Sequence, residues 1–362
     1  MKKEKPAYCS VGGQGIIEGV MMRAPLDSAI AVRKENGEIA TKEWKNKVRT
    51  NKFIKWPVIR GVVNFVDMMV QGVGTITDGA KMLDETNTDE YDPNKFEKFV
   101  AKKTGKNAMD VMMVFAVVLA LALGIGLFFI LPTFLTGIIK GSIQSSVVIN
   151  LIDGGVRLAI FLGYMILVGQ LKDIKRVFMY HGAEHKTIAC YEAGEELTPE
   201  NAKKFRRLHP RCGTSYLLLV MIVAIIVYSF LGWTDNVLWR FASRILLLPL
   251  IAGLAYEVLK LAAKYEVLFF RIIRWPGLQL QRLTTKEPDE SMLEIAIIAF
   301  QMALKEKSED EIKALIEKYD RSEKPEPVPE GEPEDEGEPE ESAGDEAETA
   351  EADGQQGETA TA

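Results

Sequence analysis

Cysteine and histidine are scarce in this 362-residue chain, with three of each. Three widely spaced cysteines (Cys9, Cys190, Cys212) are an odd number and imply no disulfide framework. No Walker-type phosphate loop occurs, no nucleotide fold is suggested and no internal repeat is evident, so no nucleic-acid partner is expected. The first forty residues carry basic side chains but no apolar core region, so no signal peptide is expected. Large apolar residues are nearly missing from the C-terminal end. From Arg321 onward there are 16 acidic and 2 basic residues, a net of −14, which leaves +7 for the rest of a chain whose total is −7. A Pro- and Gly-rich acidic segment of that kind cannot bury a core, and 321–362 is expected to be a disordered tail.

What is abundant is long apolar sequence. Met109–Leu131 is 23 residues with one charge, at its edge, and as a helix it is about 35 Å long, enough to cross a bilayer. Ser215–Trp233, Ser243–Ala263 and Val147–Gly169 are further spans, the last interrupted by Asp153 and Arg157. Asp153 and Arg157 stand four apart, a spacing for an ion pair near the outer interface. Nine Lys and Arg residues between Lys172 and Arg211 contrast with single ones in the other two loops (Lys140, Arg240). The positive-inside rule then puts that segment and both termini in the cytoplasm, where thiols stay reduced and available as ligands.

The remaining segments divide around the spans. Residues 1–108 read as a Gly-rich stretch, a β-hairpin turning at Asn36-Gly37 through two residues of positive φ, and an amphipathic helix. That helix sets Ile59, Val62, Val63, Val66, Val70 and Val73 against Arg60, Asn64, Asp67 and Gln71, and should lie on the membrane or pack on the spans. A first transmembrane hairpin occupies 109–170, a His/Cys loop 171–214 and a second hairpin 215–264. Interfacial and cytoplasmic helices fill 265–320, with one helix spanning about Met292 to Tyr319. The fold class is thus a mainly α integral membrane protein with four transmembrane helices, flanking interfacial helices, a small N-terminal β-hairpin and an acidic tail.

All three histidines fall in the one loop. A helix continuing out of the second span and ending near Gly194 sets His181 and His185 one turn apart on one face, with Glu184 beside them. Glu192 lies near the same line but about 10 Å beyond His185, too far to share an ion. After a short helix capped by Thr198 and opened by Pro199, His209 and Cys212 stand at the mouth of the third span. His181, His185, His209 and Cys212 form an N/S set suited to zinc. H-x-x-E-H is the inverted zinc-peptidase order, in which Glu184 would act as general base. Four bound ligands would make a closed, structural site. A catalytic site needs one of them, Cys212 first, to stay off the ion. Without a metal, these histidines would be interface residues.

Cys9–Pro25 carries four glycines with Gln14, Glu18 and Arg23, read either as residues offered to a pocket or as a flexible entry to the hairpin. "GGQGIIEGVMMR", "HGAEHKTIACYE" and "HPRCGTS" together resemble the bacterial YqhQ-like family of multi-span membrane proteins, over roughly Val11 to Leu283. Members of that family are labelled metal-dependent enzymes on sequence grounds. The resemblance implies a cytoplasmic-side site made by Gly12–Arg23, His181–Glu192 and His209–Thr214, and supplies no substrate. The expectations are therefore a zinc-dependent hydrolase acting on a lipid-linked or membrane-protein substrate, or a non-enzymatic factor whose metal clasp supports binding to other membrane proteins.

Overall fold

The computed structural model describes residues 11–47, 51–84, 108–209, 212–232, 234, 236–265 and 267–322. Cys9 and the acidic stretch from Glu323 onward lie outside the described residues. The chain is mainly helical with a small antiparallel sheet near its N-terminus.

The sheet has four strands rather than one hairpin: β1 (Gly12–Ile16), β2 (Gly19–Arg23), β3 (Asp27–Arg33) and β4 (Ile39–Lys45), in the order β1-β2-β3-β4. Its β3–β4 turn is at the expected place, pairing Arg33 with Ile39, but differs in kind. The Gly37 N–H donates to the Lys34 carbonyl and only Gly37 has positive φ, +87°, so the loop is a β-turn followed by a glycine bulge, not two left-handed residues. The glycine segment forms β1 and β2, turning at Ile17–Glu18 with Glu18 at φ +51°. Ser28 to Val32 are buried without a break, because both faces of β3 are covered.

After the sheet, α1 (Ile59–Asp84) is followed by α2 (Ala108–Ile125), a π-helical turn (Gly126–Ile130) and α3 (Leu131–Ile139). Then come α4 (Ser146–Val168), α5 (Lys172–Glu192), α6 (Pro199–Lys203), α7 (Gly213–Ser229), α8 (Val237–Lys264), α9 (Leu268–Thr284), α10 (Glu290–Leu304) and α11 (Glu309–Tyr319). Among the described residues, three helical stretches are long and apolar enough to cross a membrane: Val114–Ile139, Ser146–Val168 and Leu238–Ala262. The first passes beyond the expected stop at Leu131. The π turn just before Pro132 absorbs the ring that would break an α-helix. α7 is apolar but has 17 residues.

One sheet face, through Val20, Met22, Ala29 and Ala31, packs with Tyr180, Ala183 and Ile188 of α5 and with α10. α10 is buried at every position from Met292 to Ala303, as a 15-residue helix apolar on all sides must be. The single helix expected over Met292–Tyr319 is therefore two, broken at Lys305 in the left-handed conformation and restarted by a Ser308/Glu311 capping box. The ordered chain passes Asp320: Arg321 pairs with Glu294 at 2.9 Å, and Arg33 meets the same carboxylate at 2.8 Å.

The other sheet face, Ile16, Met21, Ile30 and Val32, meets Met82 and Leu83 of α1. α1 is amphipathic in the reverse sense from a helix on a water-soluble core. Arg60 forms a bidentate pair with Glu257 of α8 and Arg23 donates to Gln71, so the polar stripe faces inward. Val66, Val70 and Val73 face outward, 49–68% exposed. Gly61 and Gly253 let α1 and α8 approach so closely that a Cβ on Gly61 would sit 2.8 Å from the Gly253 Cα.

Candidate metal centre

α5 does not continue α4. Gly169 caps α4 and the chain turns through Gln170 and Leu171 before α5 begins. As expected, α5 ends at Glu192 with Gly194 at φ +74°, and Thr198 caps α6 with Pro199 at its first turn.

Three glycines set the packing around the histidine turn. β1 lies directly on α5: a Cβ at Gly15 would fall 2.6 Å from the His181 N, and one at Gly13 would fall 3.1 Å from Glu184 Cγ. On another side, a Cβ at Gly182 would sit 2.1 Å from the Lys286 carbonyl oxygen. Only glycine lets the extended segment joining α9 to α10 cross there, and that crossing brings the Thr284 carbonyl within 2.9 Å of His181 Nδ1.

His185 Nδ1 in turn hydrogen-bonds the Arg207 carbonyl. A carbonyl only accepts, so both Nδ1 atoms carry the proton and both Nε2 atoms keep their lone pairs. Those lone pairs converge. His181 Nε2 is 3.2 Å from Cys212 Sγ, and one ligand atom from each of His181, His185 and Cys212 lies within 4.8 Å of the others. Glu184 Oε2 is 3.7 Å from His181 Nε2 and 3.9 Å from His185 Nε2. Glu184 Oε2 and His185 Nε2 are both buried and neither has a hydrogen-bond partner among the described residues. Two imidazoles and a thiol, oriented by carbonyls behind them, with a carboxylate alongside, match the donors of a borderline-soft ion such as zinc.

Burial raises the Glu184 pKa above the usual carboxylate range, against the opposing effects of His181, His209 and a hydrogen bond from the Gly13 N–H. Burial likewise lowers that of His185, opposed by the neighbouring Cys212.

The other sequence candidates divide. His209 stands outside the converging group. Its Nε2 is 3.5 Å from Glu192 Oε2, so Glu192, expected to lie too far from His185 to share its ion, stands beside the third histidine instead. Gln14 and Arg23 line the pocket, together with Glu184, His185, His209 and Cys212. Glu18 does not: it binds Arg176 with two hydrogen bonds and accepts from Tyr180 at 3.3 Å, fastening the β1–β2 turn to α5. Cys190 is also apart, fully buried with its thiol 3.5 Å from the Glu196 carbonyl.

Sequence reading missed Gln281. Fully buried on α9, it accepts from the His209 N–H at 2.8 Å, and its amide donates to the His209 carbonyl at 2.7 Å and to Ser215 Oγ at 2.9 Å. It thereby fixes the loop that carries both His209 and Cys212. The pocket encloses about 830 Å³ and shares Arg23 and Lys260 with an adjoining cleft that also holds Lys47, Lys55 and Arg60.

A family model described as a protein of unknown function, DUF1385, matches residues 56–306, a range that includes every histidine and the cysteine of the cluster. A Bacillus subtilis (strain 168) protein called "Uncharacterized protein YqhQ" is 32% identical over 312 residues, covering 84% of this chain and 95% of that one. No solved structure matches.

Proposed function

This chain belongs to the DUF1385 family, and we propose that it is a multi-pass protein of the bacterial cell membrane whose cytoplasmic-side pocket binds a divalent metal, zinc by its donors, and hydrolyses an anionic, membrane-associated substrate. The observation that carries this reading is the pair of Nδ1–carbonyl bonds, which leave the His181 and His185 lone pairs turned toward Cys212.

His181, His185 and Cys212 would hold the ion, which would supply Lewis-acid polarisation. Glu184, buried against both rings, would serve as the general base through its Oε2. Arg23 and Lys260 bind the negative charge of the substrate, which favours a lipid-linked molecule with an anionic head. The outward apolar face of α1 and the exposed Leu268, Phe269, Ile272 and Trp275 of α9 support a pocket at the membrane surface.

Packing supports four spans. α5 and α10 lie on the same sheet, so the chain between Glu192 and Glu290 must leave and return to one side. Leu238–Ala262 makes one crossing and, among the described residues, α7 is the only other apolar helix between them. At about 26 Å, α7 nearly fills the hydrocarbon layer. The lysines and arginines of 172–211 orient this side, and with it both termini, to the cytoplasm.

Elemental analysis of the purified full chain tests the ligand set. About one zinc per chain is expected, retained in His209→Ala and lost in His181→Ala, His185→Ala and Cys212→Ser. A wild type free of metal, or equal loss from His209→Ala, defeats this assignment. Glu184→Gln should keep the ion and lose at least ~100-fold in cleavage of p-nitrophenyl carboxylic and phosphoric esters presented in anionic micelles. A second reading, a metal clasp without catalysis, draws on the Gly13–Glu184 bond that ties the sheet to α5. It predicts bound zinc, no cleavage by the wild type and lower stability on zinc removal.

A further inference from the structure

A cavity of about 360 Å³ lies between α4 and α7, away from the metal pocket, with Phe65, Phe128, Phe161, Val220, Ile225 and Leu248 among its apolar walls. Among the described residues, four polar side chains line it: Asn150, Asp153, Arg157 and Tyr228. Two of these have their hydrogen bonds. Asn150 donates to the Leu231 carbonyl at 2.7 Å and accepts from Arg244 at 3.5 Å, and the Tyr228 hydroxyl donates to the Arg244 carbonyl at 3.0 Å. The other two are only half satisfied. Asp153 and Arg157 pair at 3.0 Å, as their spacing suggests, but through Oδ2 and Nη2 alone. Arg244 of α8 reaches that same Oδ2 at 2.8 Å. Asp153 Oδ1 and Arg157 Nε are buried and have no hydrogen-bond partner among the described residues. Asp153 is 2% exposed and stands about 10 Å along α4 from Ser146, and Arg157 about 16 Å.

One ion pair thus leaves an acceptor without a donor and a donor without an acceptor, deep in an apolar setting, at a cost that a hydrogen-bonding guest removes. An ether or ester oxygen only accepts and an ammonium only donates, whereas a hydroxyl does both with one atom. A water molecule also does both, but it takes about 30 Å³ and is held only by polar partners, so the aromatic and aliphatic remainder of the cavity calls for hydrocarbon. Leu217, on the wall, is 41% exposed, so in a membrane the cavity adjoins the acyl chains from which such a guest would enter.

We propose that this cavity binds a neutral lipid alcohol, its hydroxyl accepting from Arg157 Nε and donating to Asp153 Oδ1, and its chain along the apolar walls. The site stands whether or not the other pocket holds metal. Adding 1-dodecanol to the detergent-solubilised full chain tests it. The thermal unfolding midpoint should rise saturably with the mole fraction of the alcohol in the micelles.

Dodecyl methyl ether, which keeps the chain and the oxygen but has no proton to donate, should bind at least tenfold more weakly. Arg157→Lys keeps the positive charge beside Asp153 but removes Nε, and should weaken the alcohol and narrow its advantage over the ether. Ala224→Leu, which adds three carbons to the cavity wall without altering charge, should weaken the alcohol at least tenfold, and Lys260→Gln should not. Equal stabilisation by alcohol and ether overturns the proposal. So does the absence of any saturable rise with the alcohol, which would leave the two atoms to water. Unchanged binding in Ala224→Leu overturns it as well, and the comparison of alcohol with ether on the wild type decides the matter even if Arg157→Lys fails to fold.

Discussion

Adding one methyl group at Gly15 should loosen the metal pocket without touching a ligand. An alanine Cβ there would stand 2.6 Å from both the His181 N and the Val177 carbonyl oxygen, and 3.1 Å from the His181 Cα. All three are backbone atoms of a continuous helix, so no side chain can swing away. Restoring an ordinary 3.4 Å contact requires β1 and α5 to part by about 0.8 Å. Overpacking of this kind costs about 1–3 kcal/mol, which in a protein of this size lowers the thermal midpoint by roughly 2–10 °C. The same displacement pulls the Gly13 N–H from Glu184 and shifts His181 against Cys212. Disturbed support of metal ligands typically costs about 10–100-fold in affinity. The control is Gly12→Ala, three residues earlier on the same strand, where a Cβ would meet nothing within 4 Å. It should stay within about 0.5 kcal/mol of wild type. Differential scanning fluorimetry and competitive zinc titration on the two purified variants read both quantities. Indistinguishable behaviour of Gly12→Ala and Gly15→Ala would refute the reasoning that the glycines exist to seat β1 on the histidine turn.

Zinc removal should destabilise the wild type: at about 100 times Kd, a ligand specific for the folded state contributes about 2.7 kcal/mol. A chelator should therefore lower the midpoint of wild type and leave that of His185→Ala where it was. In intact cells and a background without native cysteines, an impermeant maleimide should label a cysteine placed at Asn236 and not one at Glu195, and the opposite pattern would invert the proposed topology. The Cys190 thiol, pushed up to about 11 by burial from an ordinary 9.0, should resist alkylation at pH 8 until the protein is denatured. Because its pKa is higher in the folded chain than in the unfolded one, its contribution to stability is full below pH 9 and is lost between 9 and 11. A pH–stability curve of Cys190→Ala should therefore fall less steeply than wild type in that window.

The sequence made the apolar helices, the hairpin at Gly37 and the His181/His185 face legible because each rests on local periodicity or turn chemistry. β1 and β2 were hidden because glycine is depleted in strands, and here it serves the approach to α5. The amphipathic character of α1 was readable, but not which face turns inward, since that depends on whether the outer surroundings are water or hydrocarbon. His209 and Cys212, three residues apart, gave no sign that one would face Glu192 and the other the two imidazoles. That division arises where Cys212 caps α7 while Gln281 holds His209 by its backbone. Gln281 itself carried no signal, as either glutamine of this amphipathic helix, Gln279 or Gln281, would ordinarily be solvated. α10 escaped separation from α11 because the break rests on the unusual conformation of Lys305.

The burial of α10 against β2 and β3 also has a temporal side. β4 ends at Lys45, whereas α10 begins at Glu290, so the ribosome must add about 245 residues before the helix that covers the sheet exists. At about 5–20 residues per second that interval is roughly 12–50 s. Throughout it, the face formed by Val20, Met22, Ala29 and Ala31 waits incomplete while the intervening apolar helices are being made. The sheet is thus made long before the helix that closes it, and while nascent it presents a sticky apolar surface for tens of seconds. A ribosome-stalled chain ending before Glu290 should hold that surface open to chaperones, and one extended past Tyr319 should release them.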